Sequence, residues 1–111
     1  MLAQNMNEAM RDVLLERRRQ DAKWGEQNHD PFLYGAILVE EIGEFMQAAL
    51  QTRVGGEKGG VENIRREAVQ MAAVALAIVE CLDRNRWRFA VPPPVDFSDM
   101  NGRTTDAAVP R

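Results

Sequence analysis

Apolar residues recur at helical spacing in three segments, and no stretch of useful length alternates as a strand would. Met6, Met10, Val13 and Leu14 form a stripe along a helix expected from about residue 5 to 21, with Arg17 in the same register. "KWGEQNHDP" interrupts the pattern with the turn formers Gly25, Asn28 and Asp30. A second helix is expected from Pro31 to about Arg53. Asp30 can cap it, and Pro31 suits the first helical position, where a missing N–H costs nothing. "VGGEKGG" at 54–60 ends it, because four glycines in seven residues cannot hold a helix, and predicts a mobile loop. The third helix is expected over 61–84.

Between Val69 and Leu82 only Gln70 and Glu80 are strongly polar, so this third helix should be covered on every side. Two neighbours of modest length cannot cover it. The pattern therefore predicts an all-α helical bundle of three main helices per chain, with its missing wall supplied by a second copy in a homodimer. Residues 1–85 are expected to form this helical domain. "PPP" at 92–94 stops any helix, and 86–111 reads as an extended or disordered tail. Phe89, Val91, Val95 and Phe97 are candidate anchors if the tail straps the body.

Composition narrows the function classes. At 45% hydrophobic the chain is too apolar to be disordered as a whole. A net charge of −3 argues against a nucleic-acid polymer as partner. The run "ERRRQ" at 16–20 is diluted by Asp12, Glu16 and Asp21 and reads as a solvated helix face. The single cysteine, Cys81, sits in an apolar run and reads as a small buried hydrophobe. The longest apolar run, "MAAVALAIV", is well short of the ~20 residues a membrane span needs. With no signal peptide visible at the start, a soluble cytoplasmic protein is expected.

The chemistry lies in "LVEEIGEFMQAAL", 38–50. At ~100° per residue from Phe32, Glu40 falls at ~80°, opposite the stripe of Leu38, Ile42, Phe45, Met46 and Ala49. Glu41 at ~180° and Glu44 at ~120° share their side with Ile37 and Ala48. On the third helix, Glu67 lies between Val74 and Ile78, and Gln70 is one turn further on. Three carboxylates converging there would repel by about 3 kcal/mol per pair at ~6 Å and an effective dielectric of ~20. Protonation, pairing with Arg or Lys, or a bound cation could relieve this. Only a cation explains carboxylates and an amide oxygen gathered at i, i+3 spacing on two helices. An oxygen-only donor set indicates Mg²⁺ or Mn²⁺. The lone histidine, His29, sits in a loop outside any Glu-x-x-His pattern, which argues against zinc or a di-iron centre.

"EEIGE" at 40–44, the glycine loop and "REAVQMAAVA" at 66–75, preceded by "RRRQDAKWGEQNH" at 17–29, resemble the MazG-like all-α nucleoside triphosphate pyrophosphohydrolases. That family's signature is EExxE, a spacer, then ExxD, and the resemblance covers about residues 11–85. It implies Mg²⁺-dependent hydrolysis of the α–β phosphoanhydride of an NTP or dNTP, giving the monophosphate and pyrophosphate. It also implies a homodimer, or a tetramer made of two dimers, in which dimerisation completes a four-helix-bundle core that holds the site. By motif position Glu41, Glu44 and Glu67 become metal ligands, with Gln70 where the family carries Asp. Glu40 becomes an accessory acid. Gln70 is neutral and a poor base, which leaves Glu40 or Glu44 as the base that takes the water's proton.

Lys23, Lys58, Arg65 and Arg66 are candidates for the substrate phosphates, with Lys58 able to close over them from the loop. Arg66 at ~140° points away from Glu67 at ~240° and reads as a surface residue. Trp24 is the candidate platform for the base, or else a plug over the helix ends. Gln20 and Gln27 are candidates to read a base edge. The competing reading is a non-catalytic helical dimer acting as a nucleotide sensor or protein-interaction module, motivated by Gln70 and the short chain.

Overall fold

A computed structural model describes residues 2–86. They form three α-helices, α1 (Leu2–Trp24), α2 (Pro31–Val54) and α3 (Val61–Arg84), and no strand is present among the described residues. The all-α expectation holds to that extent. The expected tail, with Phe89, Val91, Val95 and Phe97, lies outside the described residues. α1 is longer at both ends than the apolar stripe indicated. Its C-terminus is set by Gly25, whose φ of 73° lets its N–H reach the Asp21 carbonyl at 2.8 Å. Asp30 caps α2 as expected: its carboxylate accepts from the Leu33 N–H at 3.0 Å, with Pro31 following.

The 54–60 loop is more ordered than its glycine content suggests. Gly55 closes α2 in the left-handed region, φ 84°. The Lys58 N–H donates to Gln51 Oε1 at 2.6 Å and the Gly60 N–H to Thr52 Oγ1 at 2.7 Å. A Cβ on Gly59 would lie 2.7 Å from the Thr52 amide nitrogen, so glycine here permits the loop to fold back onto the last turn of α2. At the other end, the 25–30 segment is tied to the foot of α3. Arg84 Nη2 and the Tyr34 hydroxyl both donate to the Gln27 carbonyl, and Asn85 Nδ2 donates to Asn28 Oδ1 at 2.8 Å.

Both α1 and α2 pack on α3 but not on each other. Buried hydrophobic positions are mostly small (Ala48, Ala73, Ala77 and Cys81, with Tyr34 and Val74), which suits close helix approach. Cys81 is thus the buried hydrophobe its setting suggested, its Sγ donating to the His29 carbonyl at 3.5 Å.

One expectation needs correction. "ERRRQ" is not uniformly solvated: Arg17 is buried and paired with Glu80 of α3 and Asp21, while Arg18 is exposed. A long arginine side chain can cross an apolar contact when carboxylates meet its head. Within the single chain, as its pattern predicts, the two neighbouring helices leave α3 partly uncovered: Val79 is half exposed and Ala72 and Ala75 are exposed.

The facing of α2 is the more consequential result. Its inner side is Tyr34, Ile37, Glu41 and Ala48, while Val39, Ile42, Met46 and Leu50 form an outward apolar row that is exposed; of the stripe Leu38, Ile42, Phe45, Met46 and Ala49, only Ile42 and Met46 lie in that row and the rest are half-buried. Met6, Met10 and Leu14 on α1 are exposed as well. Six buried hydrophobic side chains make a small core for a unit of this length, while an outward row of large apolar residues is the signature of an interaction surface. No described helix is long and apolar enough to cross a membrane.

Candidate functional site

Because α2 and α3 run antiparallel through a tight loop, the turn carrying Glu41 and Glu44 meets the turn carrying Glu67 and Gln70. One carboxylate oxygen from each of Glu41, Glu44 and Glu67 lies within 4.8 Å of the other two. Glu41 and Glu67 are half-buried and Glu44 is exposed, so the cluster opens to solvent on one side.

Burial, and then the charges of Glu44 and Glu67, push the Glu41 carboxyl above the ordinary carboxylate range. Burial and then Glu44 do the same to Glu67, while the cations of Arg66 and Lys58 oppose the shift. The cluster is therefore a place where negative charge is held against its preference. With its NH₂ turned toward the acids, Gln70 donates to Glu67 Oε2 at 3.0 Å and to Glu41 Oε2 at 3.3 Å. The amide thus offers donors where a cation would otherwise sit.

The donor set fits a hard divalent ion. Two oxygens sharing an octahedral Mg²⁺ at 2.0–2.1 Å lie at most about 4.2 Å apart. A cluster spanning up to 4.8 Å needs only small side-chain rotation to close to that size. Gln70 can add its carbonyl oxygen if the amide rotates away from its present donor role.

The other candidates fall on two sides of this cluster. Toward the C-terminus of α1, a hollow of about 290 Å³ between α1 and α2 has Trp24, Tyr34, Ile37 and Val74 among its apolar walls, with Glu41 on its rim. That is near the lower end of small-ligand pockets and has room for one planar base. Gln20 and Gln27 line it too. A smaller neighbouring hollow has Lys23, Trp24, Glu41 and Gln70 on its walls, and Lys23 Nζ stands 4.6 Å from the Trp24 ring centroid. Trp24 is 59% exposed, so in this structure it is an open platform and not a plug over the helix ends.

Toward the glycine loop, a hollow of about 440 Å³ is bordered by Glu44 and Glu67 and lined by Lys58, Asn63 and Arg66. Arg66 was read from helical angle alone as facing away. Its long side chain instead returns along the helix to donate to Asn63 Oδ1 at 2.7 Å, and its charge reaches Glu67. Arg65 is not gathered into any of these hollows; it donates to Asp12 Oδ2 at 2.7 Å and ties α3 to α1. Glu40 is exposed and outside the carboxylate cluster, on a shallow outer groove with Met46 and Leu50.

No family model, curated protein or solved structure matches this chain. The functional reading therefore rests on the residues and their geometry.

Proposed function

We propose that this protein is a Mg²⁺-dependent nucleoside triphosphate pyrophosphohydrolase, resembling the MazG-like enzymes, that converts an NTP or dNTP and water to the monophosphate and pyrophosphate. The observation that carries this reading is the convergence of Glu41, Glu44 and Glu67 between an aromatic hollow on one side and, on the other, a hollow whose walls include Lys58 and Arg66. A nucleotide has the matching order: a planar base, a scissile anhydride and a polyanionic end.

In this reading Glu41, Glu44 and Glu67 hold the ion, with Mn²⁺ able to replace Mg²⁺, and Gln70 lends its carbonyl oxygen. The ion supplies charge neutralisation at the phosphates and a more acidic water. Glu44, exposed at the mouth of the cluster, is better placed than Glu40 to take the water's proton. Trp24 stacks the base and Lys23 sits beside it. The outward stripe of Val39, Ile42, Met46 and Leu50 supports a homodimer in which a second copy completes the helical core, singly or as a dimer of dimers.

The test is a panel of NTPs and dNTPs with Mg²⁺, read by pyrophosphate release. Product from at least one nucleotide, lost on adding chelator, is expected. A folded protein that releases none from the whole panel overturns the reading. One observation favours a second reading: Gln70 already satisfies Glu41 and Glu67 as a donor, which suits a non-catalytic nucleotide sensor or interaction module. That reading expects nucleotide binding without turnover.

A further inference from the structure

We propose that α1 is a hinged wall that swings about Gly25 to open and close the hollow beside the carboxylate cluster, with the Arg17–Glu80 pair as the latch that holds it shut. The proposal does not depend on what the hollow receives.

Its first support is how little apolar surface fastens α1 to the body. Every buried hydrophobic side chain among the described residues belongs to α2 or α3. Val13 of α1 is half-buried, while Met6, Met10, Leu14 and Leu15 are exposed. α1 packs on α3 and not on α2. A helix normally takes most of its stability from burying one face. What α1 buries instead is Arg17, at 8% exposure, and that side chain is imperfectly satisfied. Its Nη2 meets Glu80 and Asp21, but its buried Nε has no hydrogen-bond partner. A buried donor left unpaired subtracts from the stability of the docked position. The second strut, Arg65 with Asp12, is partly exposed and adds little.

The second support is where the chain is fixed and where it is free. The Gln27 carbonyl accepts from Arg84 Nη2 at 3.0 Å and from the Tyr34 hydroxyl at 3.1 Å, which fastens the chain just beyond α1. Between this anchor and α1 stands Gly25, with a φ of 73° and open space where a Cβ would be. Rotation of the backbone there moves α1 alone. Arg17, Gln20, Asp21 and Trp24 of α1 form one wall of the hollow, and Tyr34 and Ile37 of α2 line it as well. A swing of α1 widens the hollow next to Glu41 and leaves the packing of α2 on α3 in place.

The test is hydrogen exchange read by mass spectrometry on the full chain without ligand, comparing amides 12–22 of α1 with amides 69–82 of α3. Released from α3, α1 has no buried face to keep it helical, so its amides exchange at each opening. They should exchange about tenfold or more faster than those of α3. Glu80→Gln keeps an acceptor for Arg17 but removes its charge; it should speed α1 by about tenfold and leave α2 and α3 unchanged. Asp12→Asn, at the outer strut, should change α1 by no more than about twofold. If α1 of the wild type exchanges as slowly as α3, it is a fixed wall, whether its own chain or a second copy holds it, and the proposal fails. It fails too if Glu80→Gln speeds all three helices together, or none. None of these readouts involves turnover, so the enzymatic reading stands or falls separately.

Discussion

Replacing Glu41 with glutamine should make the metal-free protein more stable, the reverse of what most substitutions in a functional cluster do. Glu41 is half-buried and its carboxylate lies within 4.8 Å of those of Glu44 and Glu67. Two unit charges at that separation repel by about 3.5 kcal/mol at an effective dielectric of 20 and about 0.9 kcal/mol in water. Exposure of Glu44 places its pair with Glu41 nearer the lower figure. A gain of about 1–2 kcal/mol at pH 7.5 remains, or roughly 5–10 °C in Tm for a unit of this size.

The pH dependence has a definite sign. A carboxyl whose pKa is raised by folding contributes stability below its unfolded value and loses it as pH rises through the folded value. In chelator, wild-type Tm should therefore fall as pH climbs from about 4.5 upward, and Glu41→Gln should flatten that fall. Mg²⁺ should raise the wild-type Tm, because it binds only the folded state, and should raise that of the variant much less. Thermal melts monitored by circular dichroism, with EDTA and with Mg²⁺, at pH 5 and 7.5, read all of this. If Glu41→Gln melts at or below wild type in EDTA, the acids are simply solvated and no electrostatic strain is stored among them.

Four further outcomes are expected. Gln70→Asp replaces a donor to Glu67 and Glu41 with a fourth carboxylate; it should lower Tm in EDTA, tighten Mg²⁺ binding about tenfold or more, and be measurable by calorimetry. Met46→Glu places a charge in the outward apolar stripe and should turn a dimer into a monomer in sedimentation velocity. Gly59→Ala puts a Cβ 2.7 Å from the Thr52 amide nitrogen and should cost about 1–3 kcal/mol in urea unfolding. Trp24→Ala removes an exposed ring, so Tm should hold while KM for the preferred nucleotide rises about tenfold.

Much of this fold was legible because its signals are local. Asp30–Pro31 marks the start of α2, and the four glycines after Arg53 mark its end, so an error of only a residue or two remained. The pairing of Glu41 and Glu44 with Glu67 was legible too, since i, i+3 spacing and a short loop leave two antiparallel helices few registers. What helical periodicity cannot say is which neighbour a stripe faces. Of the α2 stripe Leu38, Ile42, Phe45, Met46 and Ala49, only Ile42 and Met46 are exposed and the other three are half-buried, while Glu41 lies on the side packed within the chain with Tyr34, Ile37 and Ala48. Long side chains defeated angular reasoning in the same way. Arg66 projects back along its helix, and Arg17 tunnels from a basic run to Glu80, 63 residues away in sequence. The sites of both depend on tertiary neighbours that no window of sequence contains.

The hydrogen bonds from Gln70 to Glu67 and Glu41 also bear on how the cluster comes into being. Three carboxylates alone would oppose the closing of α2 on α3 by about 1–2 kcal/mol. With an amide NH₂ already between them, the helices can close first and the ion can enter afterwards by displacing one side-chain group. Loading then becomes a rotation about the terminal bond of Gln70, a motion far faster than separating two packed helices. If the cluster holds Mg²⁺ as proposed, a neutral residue at that position would trade holding strength for exchange, and occupancy should then follow the surrounding free Mg²⁺.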